Sequence, residues 1–163
     1  MAITLFADGR IEKNGTDIVG GAPAFSAYTS SGYDIASDTY VKALFQTEHF
    51  DSDGAYDAST STFTVPSGKG GKYQVNGGVS VDDINGSTYV VIALYIDGSQ
   101  ATGFQRAFVW SPSADKIVTA RFSNVISLTA GQTVTIYVLH SSTGTQSSEN
   151  YCNYFSMFKL PGV

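Results

Sequence analysis

Few side chains of this sequence are suited to covalent chemistry. There are two histidines, His49 and His140, and one cysteine, Cys152. Neither the Gly-x-Ser-x-Gly spacing of a nucleophilic serine nor the His-Glu-x-x-His spacing of a zinc protease occurs. Serine and aspartate are so frequent that a chance meeting of Ser, His and Asp would carry little information. We therefore predict no catalytic residue and no enzymatic activity, and we expect structural roles for both histidines.

A segment rich in glycine and lysine, residues 67–72, has the composition of a phosphate-binding loop. A P-loop needs Gly, four residues and Gly-Lys-Ser/Thr between a strand and a helix, because its backbone N–H groups and its hydroxyl hold the phosphates and the metal ion. Here Tyr73 follows Lys72 in the place of that hydroxyl. The segment is predicted to be a surface loop between two strands, without a bound cofactor.

An acidic stretch places Asp51, Asp53 and Asp57 around Gly54. Closely spaced carboxylates on a turn can converge on a calcium ion, but this glycine comes too early for an EF-hand. Aspartates in turns also accept hydrogen bonds from nearby backbone N–H groups. We predict turns and no metal site here, with a bound cation as the alternative.

Residues 141–150 are all polar or glycine. Such a loop is either a mobile connection or a recognition surface. Its hydroxyls and amides could bind a sugar or a protein partner, with Tyr151 and Tyr154 as flat stacking surfaces. The sequence leaves both interpretations open and favours the mobile connection.

Composition excludes several classes of function. Charged residues make up 14% of the chain, against about 25% in an average soluble protein, and Ser, Thr, Gly and Tyr replace them. The net charge of −5 comes without a cluster of Lys or Arg, which argues against nucleic-acid binding. No apolar run is long enough to span a membrane, and residues 1–6 lack the features of a signal peptide. We expect synthesis in a cytoplasm and no membrane partner. A single cysteine also excludes an intrachain disulfide.

The sequence divides at a glycine-rich hinge, residues 20–23. Before it, two short apolar runs flank Asp8–Gly9, a pair that favours a two-residue hairpin turn. A piece this short cannot bury a core of its own, so it either lies on the rest of the chain or holds on to another molecule. We predict that residues 1–22 attach a domain formed by residues 23–163 to a larger particle. The predicted attaching side chains are Ile3, Leu5, Phe6 and Ile11.

From residue 24 onwards, short β-type runs recur between turn-forming residues, and no segment has helical periodicity. Asn85–Gly86 predicts a hairpin between two long runs, and Asp97–Gly98 predicts a second tight turn. This spacing predicts an all-β sandwich or barrel. The predicted strands cover residues 24–29, 39–46, 61–66, 72–84, 87–96, 104–110, 116–128, 132–140 and 151–160.

The faces of two predicted strands differ. Residues 72–82 alternate between apolar and polar side chains, as a strand with one buried face does. Residues 89–96 are apolar on both faces, which an antiparallel strand sustains only when its second face is covered as well. A partner subunit is the simplest cover.

One order of motifs runs through the chain. Tyr56–Asp57 precede a short strand with Phe63, Pro66 follows, and Gly71–Tyr73 open a long strand. The last strand contains Phe155–Phe158. Over roughly residues 24–160, this order resembles the globular head of complement C-one-q, a relative of tumour necrosis factor.

The resemblance implies a jelly-roll β-sandwich that assembles as a homotrimer through aromatic-rich faces. Two departures from the family pattern are Met157, in the place of a glycine, and the longer segment 67–70. Complement activity is not implied. The side chains predicted at the trimer interface are Tyr89, Val91, Tyr95, Phe108, Tyr154 and Phe158.

A display-type trimer without a signal peptide and with an uncharged polar surface is typical of virus particles. We predict a bacteriophage virion protein, a trimeric capsid decoration or head-fibre protein that contacts other virion proteins through residues 1–22. The alternative is a receptor-binding or carbohydrate-binding module of a tail fibre or cell surface, with a glycan or host receptor as partner. A secreted effector related to complement C-one-q is a third interpretation, which the missing secretion signal disfavours.

Overall fold

All regular structure in the described residues is β-strand, as the sequence predicts. The computed structural model describes residues 3–5, 11–13, 16–17, 22–102, 106–111, 116–150 and 152–161. The early strands are β1 (Ile3–Leu5), β2 (Ile11–Lys13), β3 (Thr16–Asp17), β4 (Ala24–Tyr28), β5 (Asp34–Ile35), β6 (Val41–Lys42), β7 (Thr47–Asp51), β8 (Tyr56–Asp57) and β9 (Thr62–Thr64). The later strands are β10 (Gly71–Ile84), β11 (Thr88–Ile96), β12 (Ser99–Gln100), β13 (Arg106–Ser111), β14 (Lys116–Leu128), β15 (Thr133–His140), β16 (Gln146–Ser147) and β17 (Tyr154–Lys159).

Two sheets form the body of the domain. One, called the β10 sheet, has the strand order β14-β10-β17-β4-β7. The other, called the β11 sheet, has the order β12-β11-β15-β9-β8, with β13 paired to β11 and β6 paired to β15. Their inner faces share one hydrophobic core, so the molecule is a β-sandwich.

The alternation predicted for β10 is confirmed over residues 72–77, whereas residues 77–81 are all buried, including Ser80 on the face predicted to meet solvent. Its apolar positions point into the core, and they are Tyr73, Val75, Gly77, Val79 and Val81. A Cβ atom added at Gly77 would collide with Cδ1 of Ile136 on the facing sheet. This glycine therefore allows the close approach of the two sheets.

An aromatic cluster occupies the centre of the core. Phe25 stacks on Tyr56 with ring centroids 4.4 Å apart and meets Phe155 edge-on at 4.8 Å. Phe63 contacts both Phe25 and Tyr73. Four of these five rings belong to the motifs that carry the family resemblance. Those motifs are thus the packing centre of the fold.

The hairpin predicted at Asn85–Gly86 is wrong. β10 and β11 lie in different sheets, so residues 85–87 carry the chain across the sandwich. The positive φ angles fall on Asp83 and Ser87, beside the predicted pair. The turn at Asp97–Gly98 is confirmed: both residues have positive φ, and Ile96 pairs with Ser99.

Residues 39–51 depart most from the predicted strands. Only Val41–Lys42 of the predicted run 39–46 is a strand, and its backbone then continues along β15 through a bond from Ala43 N–H to the Ile136 carbonyl at 2.9 Å. β7, by contrast, was not predicted. Its residues Thr-Glu-His-Phe-Asp contain one strongly apolar side chain and therefore give no alternating pattern.

The N-terminal strands form a small sheet of their own, in the order β1-β2-β3. Ile3 pairs with Lys13 and Leu5 with Ile11, which agrees with the predicted pairing of the two apolar runs. The Asp8–Gly9 pair, predicted to form the turn between them, lies outside the described residues. Among the described residues, no strand pairing joins this sheet to the others.

Candidate subunit interface

The outer face of the β10 sheet carries aromatic side chains that the chain itself leaves uncovered. On β17, Phe155 and Met157 point into the core, whereas Tyr154 and Phe158 point outwards. Phe158 is 43% exposed. The ring of Tyr154 lies across Gly78 of the neighbouring strand, where a Cβ atom would come within 2.5 Å of it. Gly78 is therefore required for this flat placement of the ring.

A polar band crosses the same face between the aromatic side chains. The Gln74 amide donates to Ser123 Oγ at 2.8 Å, and Ser123 Oγ donates to Asn76 Oδ1 at 2.9 Å. Asn76 in turn donates to Ser156 Oγ at 3.4 Å. Because these groups satisfy one another, the band can enter a subunit contact without leaving unpaired donors. Exposed Phe50 and Val125 add apolar area to this face, and sequence reasoning missed both.

The outer face of the β11 sheet carries a second apolar patch. Phe108 and Trp110 of β13 are 59% and 53% exposed. Phe108 contacts the ring of Tyr89, with centroids 4.9 Å apart. Phe104, grouped with these aromatic residues at the sequence level, lies outside the described residues.

The second face of β11 is better covered than the sequence indicates. Val91 is only 7% exposed in the single chain, and Ala93 is fully buried. In the sheet, Val91 lies between Phe108 on one side and Leu139 on the other. Neighbouring strands of the same chain therefore shield the middle of β11, and cover of this face by a partner subunit stays a prediction.

The six residues predicted at the trimer interface fall into two groups on opposite sides of the sandwich. Tyr154 and Phe158 lie on the outer face of the β10 sheet, whereas Tyr89, Val91 and Phe108 lie on the outer face of the β11 sheet. Tyr95 also lies on the β11 side, close to Tyr137. One flat contact cannot include both groups, because the sandwich separates them by about 10 Å of core.

Of the predicted attaching side chains, only Ile3 can be described, and it is exposed. Its backbone partner is Lys13. Leu5 and Ile11 pair with each other in the small sheet, but their side chains lie outside the described part. Phe6 lies wholly outside the described residues.

Hydrogen bonds hold the polar loop 141–150 against neighbouring segments, which favours an ordered loop over the mobile connection predicted from sequence. The Ser141 hydroxyl accepts from the Tyr89 N–H at 3.0 Å. Ser142 is fully buried and donates to Asn85 Oδ1 at 2.6 Å. Further along, β16 pairs with β5. Tyr151, predicted to help in stacking, lies outside the described residues.

Asn85 is the anchor of this loop. Its Oδ1 atom accepts hydrogen bonds from the Ser142 hydroxyl and from the N–H and hydroxyl of Thr143, at 2.6, 3.1 and 2.8 Å. Its own N–H donates to Ser142 Oγ at 2.9 Å. Asn85, which the sequence predicts to form a hairpin turn, thus holds a loop that is distant in sequence. No local sequence pattern indicates this role.

The acidic stretch 51–57 forms turns, as predicted. Asp51 accepts from the N–H groups of Asp53 and Tyr56 at 3.2 and 2.7 Å. Hydrogen bonds from Ser59 and Thr60 lower the pKa of Asp57. Over the described residues, no group of three or more His, Cys, Asp or Glu side chains is arranged to hold a metal ion.

The glycine- and lysine-rich segment is a surface turn between β9 and β10, as predicted. Lys69 N–H donates to the Pro66 carbonyl at 3.0 Å, and Gly68 has a φ of +71°. The Tyr73 hydroxyl donates to the Lys69 carbonyl at 2.6 Å, and burial raises its pKa to about 12. Tyr73 therefore holds the turn against the core.

The two histidines and the cysteine lie in different surroundings. His140 is fully buried, and its Nε2–H donates to the Ile35 carbonyl at 2.8 Å, since a carbonyl oxygen can only accept. His49 is exposed and stacks on Tyr28. Cys152 is an exposed free thiol, so the packed thiol favoured by its neighbours in sequence is not found. None of the described residues belongs to a helix that could cross a bilayer.

Comparisons with known proteins identify solved structures that have a similar fold. No protein-family model matches the chain, and no curated protein sequence matches it significantly. Among solved structures, the globular domain of zebrafish complement 1qA protein is similar, with a TM-score of 0.61, 15% identity, and coverage of 85% of this chain and 97% of that chain. The crystal structure of murine APRIL at pH 5.0 is also similar, with a TM-score of 0.62, 16% identity, and coverage of 85% of this chain and 99% of that chain.

A third similar structure is Eiger TNF from S. frugiperda, with a TM-score of 0.57, 17% identity, and coverage of 85% of this chain and 91% of that chain. At these identities the likeness concerns the fold. It agrees with the sheet order and with the aromatic core described above. The chain therefore has the jelly-roll fold that the complement C-one-q head shares with tumour necrosis factor.

Proposed function

We propose that the protein is a non-enzymatic structural protein of a bacteriophage virion, a trimeric capsid decoration or head-fibre protein. The observation that carries the trimer is the presence of uncovered aromatic side chains on both outer faces of the sandwich, Phe158 on one and Phe108 on the other. A contact between unlike faces is heterologous, and such contacts close into rings when the rotation between subunits permits. Three copies joined in this way cover Phe158 and Phe108 of every copy.

Attachment to the particle is assigned to residues 1–22. Their strands form a sheet separate from the sandwich, and Ile3 exposes its apolar side chain. A short sheet is marginal by itself, which supports a role in which it is completed by another virion protein. The abundance of Ser, Thr and Gly over charged residues suits an outward-facing surface.

The experiment separates the trimer from the attachment. Light scattering of the purified full chain should give three times the 17.3 kDa mass of one copy. Deleting residues 1–22 should leave that trimer intact and abolish binding to phage particles assembled without the protein. Ile3→Glu is a matched single change that should weaken particle binding alone. A monomer near 17.3 kDa would overturn the trimer, and retained particle binding after the deletion would overturn the attachment role.

A receptor-binding or carbohydrate-binding module is the second candidate, and one observation favours it. Loop 141–150 is held by hydrogen bonds yet leaves Thr143, Thr145 and Ser147 exposed. A loop fixed before binding loses less conformational entropy when it binds. If host-cell binding is lost in Thr145→Ala while the trimer and particle binding persist, this second role is supported.

A further inference from the structure

Three tyrosines form a cluster on the outer face of the β11 sheet. Tyr95 and Tyr137 stack with ring centroids 4.0 Å apart, and Tyr40 meets Tyr95 edge-on at 6.0 Å. All three are partly exposed. We call these three residues the tyrosine platform.

The platform and the Phe108 patch lie at different positions along β11. Phe108 pairs with Val91, four residues before Tyr95, which corresponds to about 13 Å along a strand. The two ends also differ in chemistry: Phe108 has no polar group, whereas every ring of the platform carries a hydroxyl. The sequence grouped Tyr95 with the subunit contacts, but its neighbours set it apart from them.

Polar groups border the platform on two sides. The Gln100 amide lies 3.5 Å from the Tyr40 hydroxyl. On the other side, Lys42 is paired in the sheet with Tyr137, and its Nζ donates to Thr62 Oγ1 at 2.9 Å. The rim therefore offers donors and acceptors of several kinds close to flat apolar rings.

Two described side chains of opposite charge lie at one side of the platform. Partial burial lowers the pKa of Lys42, and the negative charge of nearby Asp57 opposes that shift. These two charges together favour neither an anionic nor a cationic ligand.

A cleft adjoins the platform at Gln100. Its volume is about 440 Å³, and its walls come from the β11–β12 turn region and from β14, including Ile96, Gln100, Val125 and Ser127. Small-molecule sites commonly enclose about 300–1,000 Å³ and combine apolar walls with a few polar groups. The cleft has room for a ligand that extends beyond the three rings.

We propose that the tyrosine platform, with the adjoining cleft, is a binding site for an uncharged carbohydrate. A sugar ring has C–H groups that pack on aromatic side chains and hydroxyl groups at its edge that both donate and accept hydrogen bonds. Tyrosine hydroxyls and a glutamine amide offer the matching donors and acceptors. The rings are already ordered by their mutual stacking, so binding does not have to immobilise them.

This inference goes beyond the virion role and does not depend on it. It also assigns carbohydrate recognition to a surface distinct from loop 141–150, because the platform residues lie on β11, β15 and the approach to β6. Failure of the sugar site would leave the trimer and the attachment segment untouched.

The test uses the full chain and an array of neutral hexose and N-acetylhexosamine oligosaccharides, followed by calorimetric titration of the best binder. Wild-type protein should bind one class of neutral oligosaccharide, and Tyr137→Ala and Tyr95→Ala should weaken that binding at least tenfold. Tyr137→Phe, which keeps the ring and its stacking, should weaken it two- to fivefold. Light scattering and thermal melting of each variant report whether it remains folded and assembled.

One control variant localises the effect. Glu48→Ala, exposed on the edge strand β7 of the opposite sheet, should bind the same oligosaccharide as wild type does. The proposal is overturned if wild type binds no neutral oligosaccharide on the array. It is equally overturned if a folded Tyr137→Phe or Tyr95→Ala binds as wild type, or if Thr145→Ala alone abolishes binding.

Discussion

The two outer faces of the sandwich both carry aromatic side chains but arrange them differently. On the β10 sheet, Tyr154 and Phe158 flank a band of hydrogen-bonded amides and hydroxyls. On the β11 sheet, an apolar patch around Phe108 lies at one end of β11 and the stacked pair Tyr95 and Tyr137 at the other. Aromatic content alone therefore does not distinguish a protein contact from a ligand site; the polar groups beside each ring do.

The difference also concerns how each face is covered. β17 leaves Phe158 well exposed, whereas β11 has its central residues Val91 and Ala93 shielded by strands of the same chain. An antiparallel strand with two apolar faces thus does not by itself indicate an interface. Exposed aromatic area at the strand ends and at the sheet edge is the better indicator.

The largest expected effect comes from removing the support that both faces share. Phe25 is 1% exposed and contacts Tyr56, Phe63 and Phe155. Phe25→Ala should lower the free energy of unfolding by about 3–5 kcal/mol, because the cavity between the sheets cannot collapse fully. Denaturant unfolding measures this. Phe158→Ala, on the outer side of the adjacent strand, is the matched control, and an equal loss there would contradict the division into inner and outer faces.

The next effect tests whether the two faces meet each other. Phe158→Glu and Phe108→Glu should each reduce the assembly to monomers, since hot-spot aromatic residues commonly contribute about 2 kcal/mol or more. In a mixture of the two variants, the intact face of one can still meet the intact face of the other. Light scattering should therefore detect dimers in the mixture only. Monomers alone in the mixture would argue against contact between unlike faces.

A smaller effect is expected at the crossing between the sheets. Asn85→Ala leaves the buried Ser142 hydroxyl and the Thr143 N–H without their acceptor. The free energy of unfolding should fall by about 1–3 kcal/mol, the usual range for a buried polar group left unsatisfied. Hydrogen exchange should become faster within residues 141–150 and stay unchanged in β17. Asn150→Ala, an exposed change in the same loop, should have little effect, and uniform exchange rates in Asn85→Ala would refute the anchoring role.

The smallest effect concerns the turn at the end of β11. The Thr133 N–H and the Gln132 amide hydrogen-bond Asp97 and lower the pKa of its carboxyl. In the unfolded chain the pKa of an aspartate is about 3.9, and in the folded protein that of Asp97 is lower. The ionised carboxyl therefore stabilises the fold at a pH above the unfolded pKa, and this stabilisation is lost as the pH falls through the folded pKa. Asp97→Asn should therefore lower the Tm at neutral pH, and the difference from wild type should shrink below about pH 4. A pH-independent difference would show that protonation of Asp97 has no part in it.

Local patterns predicted the strands whose side chains alternate clearly. β10 and β14 were predicted within one residue at each end, because one face of each packs on the core and the other meets solvent. β7 escaped prediction because it lies at the edge of its sheet and needs few apolar side chains. The turn at Asp97–Gly98 could be predicted because it is a property of adjacent residues. The turn at Asn85–Gly86 could not, since the choice between a hairpin and a crossing depends on where β10 and β11 find their partners.

The sequence by itself predicted an all-β sandwich or barrel, because alternation and turn residues are properties of neighbouring positions. The resemblance of its motifs to the complement C-one-q head implied the jelly roll. The tertiary structure alone decided which aromatic side chains share a surface. Tyr40, Tyr95 and Tyr137 are distant in sequence and meet because β6, β15 and β11 are neighbours in one sheet. The same holds for Asn85 and loop 141–150, whose hydrogen bonds join residues more than fifty positions apart. Strand partnership is set by the packing of the whole core, and no local segment encodes it.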